Sequence, residues 1–75
     1  MVPRDVITTV KMTLLSEENI RVQHMELSNV HTQVVAGVNY AFDVKVFRFS
    51  ALKIVCHFQV YRNLRGVAKV THHRC

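Results

Sequence analysis

A strict alternation of apolar and other residues near the middle of the chain constrains its fold more than any other feature. Val38, Tyr40, Phe42, Val44 and Val46 are apolar or aromatic, and the positions between them carry Asn, Ala, Asp and Lys. Successive side chains of a β-strand point to opposite faces, so this pattern predicts a strand with one buried face. Such half-buried strands are typical of antiparallel sheets that pack on one side only.

Further strands are predicted on both sides of this one. Apolar residues that change phase twice predict a long strand over 20–35, with bulges or bends. A tight turn at 36–37 leads into the alternating strand, and a second turn lies within 47–51. The last two strands, over 54–61 and 67–74, then form a hairpin around a turn that contains glycine.

The segment before the first strand predicts a helix within residues 4–18. Val6, Val10 and Leu14 fall on one helical face, and Pro3 suits the start of a helix. Consecutive β-branched residues lower the helix propensity here, so a strand is the alternative. The order of elements predicts an α+β fold, with one helix packed on a four-stranded antiparallel sheet. At this length, residues 1–75 form a single domain.

The two cysteines provide a test of the last hairpin. A turn centred between Arg65 and Gly66 places Cys56 opposite Cys75, with Cβ atoms roughly 4.5–5.5 Å apart, near the spacing a disulfide requires. The hairpin and the bridge support each other, and the bridge would contribute about 3 kcal/mol. A disulfide implies an oxidising compartment, whereas two free thiols in a cytosolic protein are the alternative.

The charge balance suggests one possible function, the binding of a polyanion. Ten Lys and Arg stand against five Asp and Glu, for a net charge of +5. Arg62, Arg65, Lys69 and Arg74 concentrate on the last hairpin and could bind a polyanion. They alternate with apolar residues, as on ordinary solvated strands, so no nucleic-acid partner is expected. The longest nearly apolar run, 6–15, is too short to span a bilayer, and no membrane partner is expected.

A metal site and a catalytic site find less support. Cys56, His57, His72, His73 and Cys75 all carry ligand atoms and share the last hairpin. Adjacent residues on a strand point to opposite faces, so His72 and His73 cannot converge on one ion. No paired carboxylates or activated nucleophile stand out. We therefore expect no metal, no other cofactor and no enzymatic activity.

The first hairpin turn carries the motif on which the functional prediction depends. It reads Gln33-Val34-Val35-Ala36-Gly37, and Val38-Asn39-Tyr40 follows. This pentapeptide resembles the Gln-x-Val-x-Gly signature of the cystatin family. The segment from Cys56 to Cys75 is similar to the C-terminal disulfide hairpin of secreted type 2 cystatins, and its turn is most similar to that of tick salivary members. The resemblance covers about residues 5 to 75, in the family's order of elements.

The resemblance implies a secreted protein that inhibits papain-like cysteine proteases, including cathepsins. Inhibition would be reversible and competitive, because a wedge enters the active-site cleft without reacting. The implied protease-binding residues are Gln33, Val34, Val35, Ala36, Gly37, Leu64, Val2 and Pro3. Small apolar side chains at the first turn have little entropy to lose on binding, and Gly37 permits a tight turn.

Three departures from the family's pattern qualify this expectation. The segment Met1–Arg4 has no glycine, Asn63-Leu64 stands where many members have Pro-Trp, and 47–55 omits the excursion that carries a first disulfide. Loss of one aromatic hot spot weakens binding by about 2 kcal/mol, roughly thirtyfold, so moderate inhibition is expected.

The alternatives are a non-inhibitory cystatin-fold binding module and a basic polyanion-binding protein. Hairpins of this kind can also open and exchange, which predicts a strand-swapped dimer as the alternative to a monomer.

Overall fold

The computed structural model describes residues 2–75, and it confirms the predicted α+β arrangement of one helix and a four-stranded antiparallel sheet. The elements are α1 (Arg4–Glu17), β1 (His24–Val35), β2 (Gly37–Arg48), β3 (Ala51–Arg62) and β4 (Ala68–Arg74). The strands lie in the order β1-β2-β3-β4, so every turn joins neighbours in the sheet. No helix among the described residues has the length and apolar character needed to cross a membrane.

Helix α1 forms despite its β-branched residues because its apolar stripe is buried. Val6, Val10 and Leu14 are fully buried, and each such burial contributes about 1.5–3 kcal/mol. This exceeds the loss of helix propensity, which is at most about 0.7 kcal/mol per residue. Pro3 precedes the first turn with an extended backbone, and its carbonyl accepts a hydrogen bond from the Ile7 amide at 3.2 Å. The alternative prediction of a strand in this segment is therefore wrong.

The core lies between α1 and the inward faces of β2 and β3. The alternation predicted for β2 is confirmed, although Val38 at its beginning is only half-buried. Phe42 and Phe58 lie opposite each other on neighbouring strands, with ring centroids 6.5 Å apart. The buried strand residues are Tyr40, Phe42, Val44, Val46, Cys56, Phe58 and Val60.

Strand β1 is shorter than the sequence predicts. It begins at His24, so the prediction that the strand starts at Ile20 is wrong. Ile20 and Val22 belong to the connection after α1, where they still pack against the core. A register shift between Ser28 and His31 interrupts the pairing of β1 with β2. This irregularity accounts for a change of phase in the apolar pattern.

The predicted disulfide is present, but the register that predicted it holds for only part of the hairpin. Cys56 and Cys75 are bridged, with Cα atoms 4.1 Å apart. Near the turn, Tyr61 pairs with Lys69 rather than with the predicted Val70. A register shift farther from the turn moves the pairing by one residue. That bulge brings the two cysteines opposite each other.

Candidate functional site

The β1–β2 turn and the β3–β4 turn lie side by side at one end of the sheet. Val38, at the start of β2, pairs with Arg62, at the end of β3. The hydroxyl of Tyr61 donates a hydrogen bond to the carbonyl oxygen of Ala36 and so connects the two turns directly. We call residues 33–37 and 63–67 together the tip edge. A shallow groove between its halves is lined by Ala36, Tyr61, Asn63, Leu64 and Arg65.

The first half of the tip edge is a tighter turn than the predicted two-residue one. Val35 pairs directly with Gly37, so Ala36 alone occupies the turn. Gly37 has φ of 113°, and a Cβ atom there would lie 2.5 Å from the carbonyl oxygen of Arg62 and 2.9 Å from the hydroxyl of Tyr61. Glycine is therefore required both for its backbone conformation and for the close approach of β3.

Apolar side chains project from both halves of the tip edge. Val34 is 81% exposed and Leu64 is 82% exposed, and Val35 and Val67 are also exposed. Gln33 is exposed as well and lies across from Asn39 in the sheet. Apolar groups gathered on a narrow edge are typical of surfaces that bind another protein. The structure thus brings the five motif residues and Leu64 to one place.

The side chain of Asn63 fixes the second half of the tip edge. Its Oδ1 atom accepts hydrogen bonds from the amides of Arg65 and Val67, at 2.9 and 3.0 Å. Its carbonyl oxygen also accepts a hydrogen bond from the Gly66 amide at 2.9 Å. Leu64 is therefore presented from a closed turn. The sequence predicts a turn here from its glycine, whereas the closing role of Asn63 is found only in the structure, although asparagine commonly closes turns in this way.

The N-terminal segment reaches the same end of the molecule, but its two predicted contact residues differ in exposure. Val2 is 9% exposed and belongs to the core, whereas Pro3 is half-buried beside the first turn of α1. Asp5 ties this region to β3 through an ion pair with Arg62, with Nε and Oδ2 2.8 Å apart. The hydrogen bond from Arg62 lowers the pKa of Asp5 below its ordinary value of 3.8, and Asp5 raises the pKa of Arg62.

A second polar cluster, which sequence reasoning missed, joins three strands on the sheet face away from α1. Asp43 accepts a hydrogen bond from the side chain of Asn29 at 2.8 Å, and its other oxygen lies 3.0 Å from Nδ1 of His57. Asn29, followed by His57, lowers the pKa of Asp43 below its ordinary value of 3.8. The three residues come from β1, β2 and β3, so no local pattern could have linked them.

Some of the cations and potential metal ligands of the last hairpin are already engaged in other interactions. Arg62 is paired with Asp5, whereas Arg65, Lys69 and Arg74 form no ion pair within residues 2–75. Both cysteines are in the disulfide. Across the described part of the chain, no group of three or more His, Cys, Asp and Glu side chains could hold a metal ion.

The fold and the site together define a small α+β domain with one disulfide and an apolar edge built from two turns. A scan against protein-family models, a search of curated proteins and a search of solved structures each found no match.

Proposed function

We propose that this protein is a reversible, competitive inhibitor of papain-like cysteine proteases, such as cathepsins, and that it inserts the tip edge into the active-site cleft. The proposal rests on the two adjacent turns, which present Val34 and Leu64 from a single edge. The resemblance of residues 33–37 to the cystatin signature supports it, because those residues form the first half of this edge.

The geometry of the tip edge suits insertion into a cleft. Hydrogen bonds hold both turns before binding, so few groups remain to be ordered in a complex. Valine and alanine at the first turn add apolar contact at a small cost in side-chain entropy. Occupation of the cleft alone excludes substrate, so this mechanism requires no reaction with the protease and gives the protein no enzymatic role.

Two features point to moderate affinity. Val2 lies in the core, so its side chain adds little to an N-terminal contact with a protease. Leu64 occupies the second turn, where a large aromatic residue would provide more buried surface at a binding hot spot. Binding then depends mainly on residues 33–37, with a smaller contribution from Leu64.

Secretion is part of the same proposal. The disulfide between Cys56 and Cys75 is compatible with an extracellular location, where such bonds persist. Papain-like proteases in extracellular or lysosomal compartments would be the accessible targets.

Titration of papain and of a cathepsin with the purified protein tests the inhibition. We expect the apparent KM of a fluorogenic substrate to rise with inhibitor concentration while kcat stays constant, and activity to return on dilution.

Val34→Asp places a charge on the exposed first turn and should weaken inhibition by about thirtyfold. Met12→Asp changes an equally apolar, exposed residue on the outer face of α1 and should have no effect. Equal inhibition by the parent protein and Val34→Asp would refute the role of the first turn.

A second candidate is a non-inhibitory binding module with the same fold. The burial of Val2 favours it, since only two contact elements are then presented. Absence of inhibition by the folded parent protein at micromolar concentrations would select this candidate.

A further inference from the structure

The end of the sheet opposite the tip edge displays an exposed aromatic side chain. Strand β2 runs twelve residues from Gly37 to Arg48, and the distance from its first to its last residue is about 36 Å, because each step along a strand rises roughly 3.3 Å. The β2–β3 turn therefore lies far from the tip edge. Phe49 in this turn is 78% exposed, and Leu52 just after it is 53% exposed.

The conformation of this turn is unfavourable for the residue that occupies it. Phe49 has φ of 52° and Ser50 has φ of 62°, both in the left-handed region. Two-residue hairpin turns of this kind usually carry Asn-Gly, because a side chain is strained there. The Phe49 amide donates a hydrogen bond to Oε1 of Gln23 at 3.0 Å, which holds the turn against the segment after α1. The Phe49 ring is exposed and adds little to the core that could offset this backbone strain. A strained, exposed aromatic residue therefore favours a role in binding.

Three cations lie at the same end of the sheet as this aromatic residue. Arg21, Arg48 and Lys53 line a groove of about 310 Å³, together with the apolar side chains of Ile20, Val46 and Ile54 and with Asn19. The Arg48 guanidinium carbon lies 5.3 Å from the centroid of the Phe49 ring. None of the three cations forms an ion pair with another residue in 2–75. Their positive charge is therefore available to an anionic partner.

We propose that this end of the protein docks on the surface of an anionic lipid membrane. We call Arg21, Arg48, Phe49, Leu52 and Lys53 the basic turn. Phe49 and Leu52 would enter the head-group region, while the three cations bind lipid phosphates and carboxylates. Membrane surfaces attract clustered Lys and Arg and also accept aromatic and aliphatic side chains, and the basic turn combines both. A sulfated glycan would use the cations but leave the two apolar side chains in water.

This proposal revises the expectation that the chain has no membrane partner. That expectation depended on the absence of a spanning run, whereas docking needs only a few side chains at the surface. The basic turn and the tip edge lie at opposite ends of β2, so a docked protein presents the tip edge away from the lipid. The docking therefore does not depend on protease inhibition.

Sedimentation with vesicles tests the proposal. We expect binding to vesicles of phosphatidylcholine with phosphatidylserine, and none to vesicles of phosphatidylcholine alone. Phe49→Asn removes the ring and suits the left-handed backbone, so it should stay folded and lose on the order of tenfold in affinity. The circular dichroism spectrum and unfolding midpoint of Phe49→Asn verify that it remains folded.

A matched pair of triple variants separates the basic turn from net charge. Arg21→Gln, Arg48→Gln and Lys53→Gln together should weaken vesicle binding on the order of a hundredfold. The control Arg65→Gln, Lys69→Gln and Arg74→Gln removes the same charge from the last hairpin and should retain most of the binding. Equal losses in the two triple variants would overturn the proposal, because net charge would then explain the binding. Binding to heparin but not to phosphatidylserine vesicles, unchanged in Phe49→Asn, would overturn it in favour of a sulfated glycan.

Discussion

Tyr61 and Gly37 fit together at the tip edge, because the aromatic ring occupies the space that a side chain at residue 37 would fill. A Cβ atom on Gly37 would lie 3.0 Å from Cε1 of the Tyr61 ring. With the ring in this position, the hydroxyl of Tyr61 reaches the carbonyl oxygen of Ala36. The close approach of two hairpins thus depends on a large residue in β3 and on the smallest residue in β2.

Removal of the Tyr61 hydroxyl should loosen the connection between the two turns. We expect Tyr61→Phe to lower the free energy of unfolding by about 1 kcal/mol, the usual contribution of one hydrogen bond. Inhibition should weaken several-fold, because the first turn must then be ordered on binding. Urea denaturation and papain titration measure the two effects. Tyr40→Phe is the control, since the Tyr40 hydroxyl donates no hydrogen bond within residues 2–75. Similar losses of inhibition in the two variants would contradict this role.

Gly37→Ala should destabilise the protein more than the same change at the other glycine. Gly37 combines φ of 113° with a Cβ position 2.5 Å from a backbone oxygen, so we expect a loss of about 2–3 kcal/mol. Gly66 has φ of 84°, but a Cβ atom there meets only the flexible end of Arg62, at 3.2 Å. The loss in Gly66→Ala should be near 1 kcal/mol. Equal unfolding midpoints in urea would show that the approach of β3 to Gly37 is not tight.

Loss of the disulfide should weaken the last hairpin without abolishing the fold. Intact mass should rise by two hydrogens on reduction, and native protein should contain no alkylatable thiol. The bridge closes a loop with a sequence separation of 19, so replacing Cys56 and Cys75 together by alanine should remove about 3 kcal/mol. Size-exclusion chromatography of the double variant also tests whether a weakened hairpin allows strand exchange. Two alkylatable thiols in the native protein would contradict the bridge.

Acidification should destabilise the protein through Asp5 and Asp43. The folded state lowers the pKa of both carboxyls below 3.8, so it favours their ionised forms. Their contribution is complete above the ordinary pKa and is lost as the pH falls through the lower folded-state pKa. Asp43→Asn should therefore be less stable than the parent at neutral pH, and the difference should shrink below about pH 4. Thermal unfolding across this range measures it. A difference that stays constant with pH would contradict the assignment.

Glu26→Gln provides the matched comparison for that experiment. Glu26 lies in β1, which is next to the strand that carries Asp43. It is exposed, and its contact with His24 is long, at 3.4 Å. We expect its removal to leave the acid limb of the stability curve unchanged, because exposed pairs contribute little.

Much of the architecture can be predicted from local patterns. The alternation from Val38 to Val46 identifies a strand and its buried face, and the spacing of Val6, Val10 and Leu14 identifies the buried side of a helix. The Cys56–Cys75 bridge was also predicted from the hairpin, whose residues are close in sequence, but the bulge between Gln59 and Val60 that aligns the two cysteines was not. These features depend on residues that are close in sequence, and the spacing of apolar residues indicates directly which of them face the core.

Tertiary structure decided the features that depend on contacts between distant segments. The β-branched start of the chain is helical because the sheet buries its apolar stripe, and the same packing takes Val2 into the core. Asp5 meets Arg62 and Tyr61 meets Ala36 across separations of 57 and 25 residues. A sequence pattern specifies which side of an element is apolar, but not which residue of another element lies across from it. The tip edge exists because packing and strand register, acting over the whole chain, bring two separate turns to one end of the sheet.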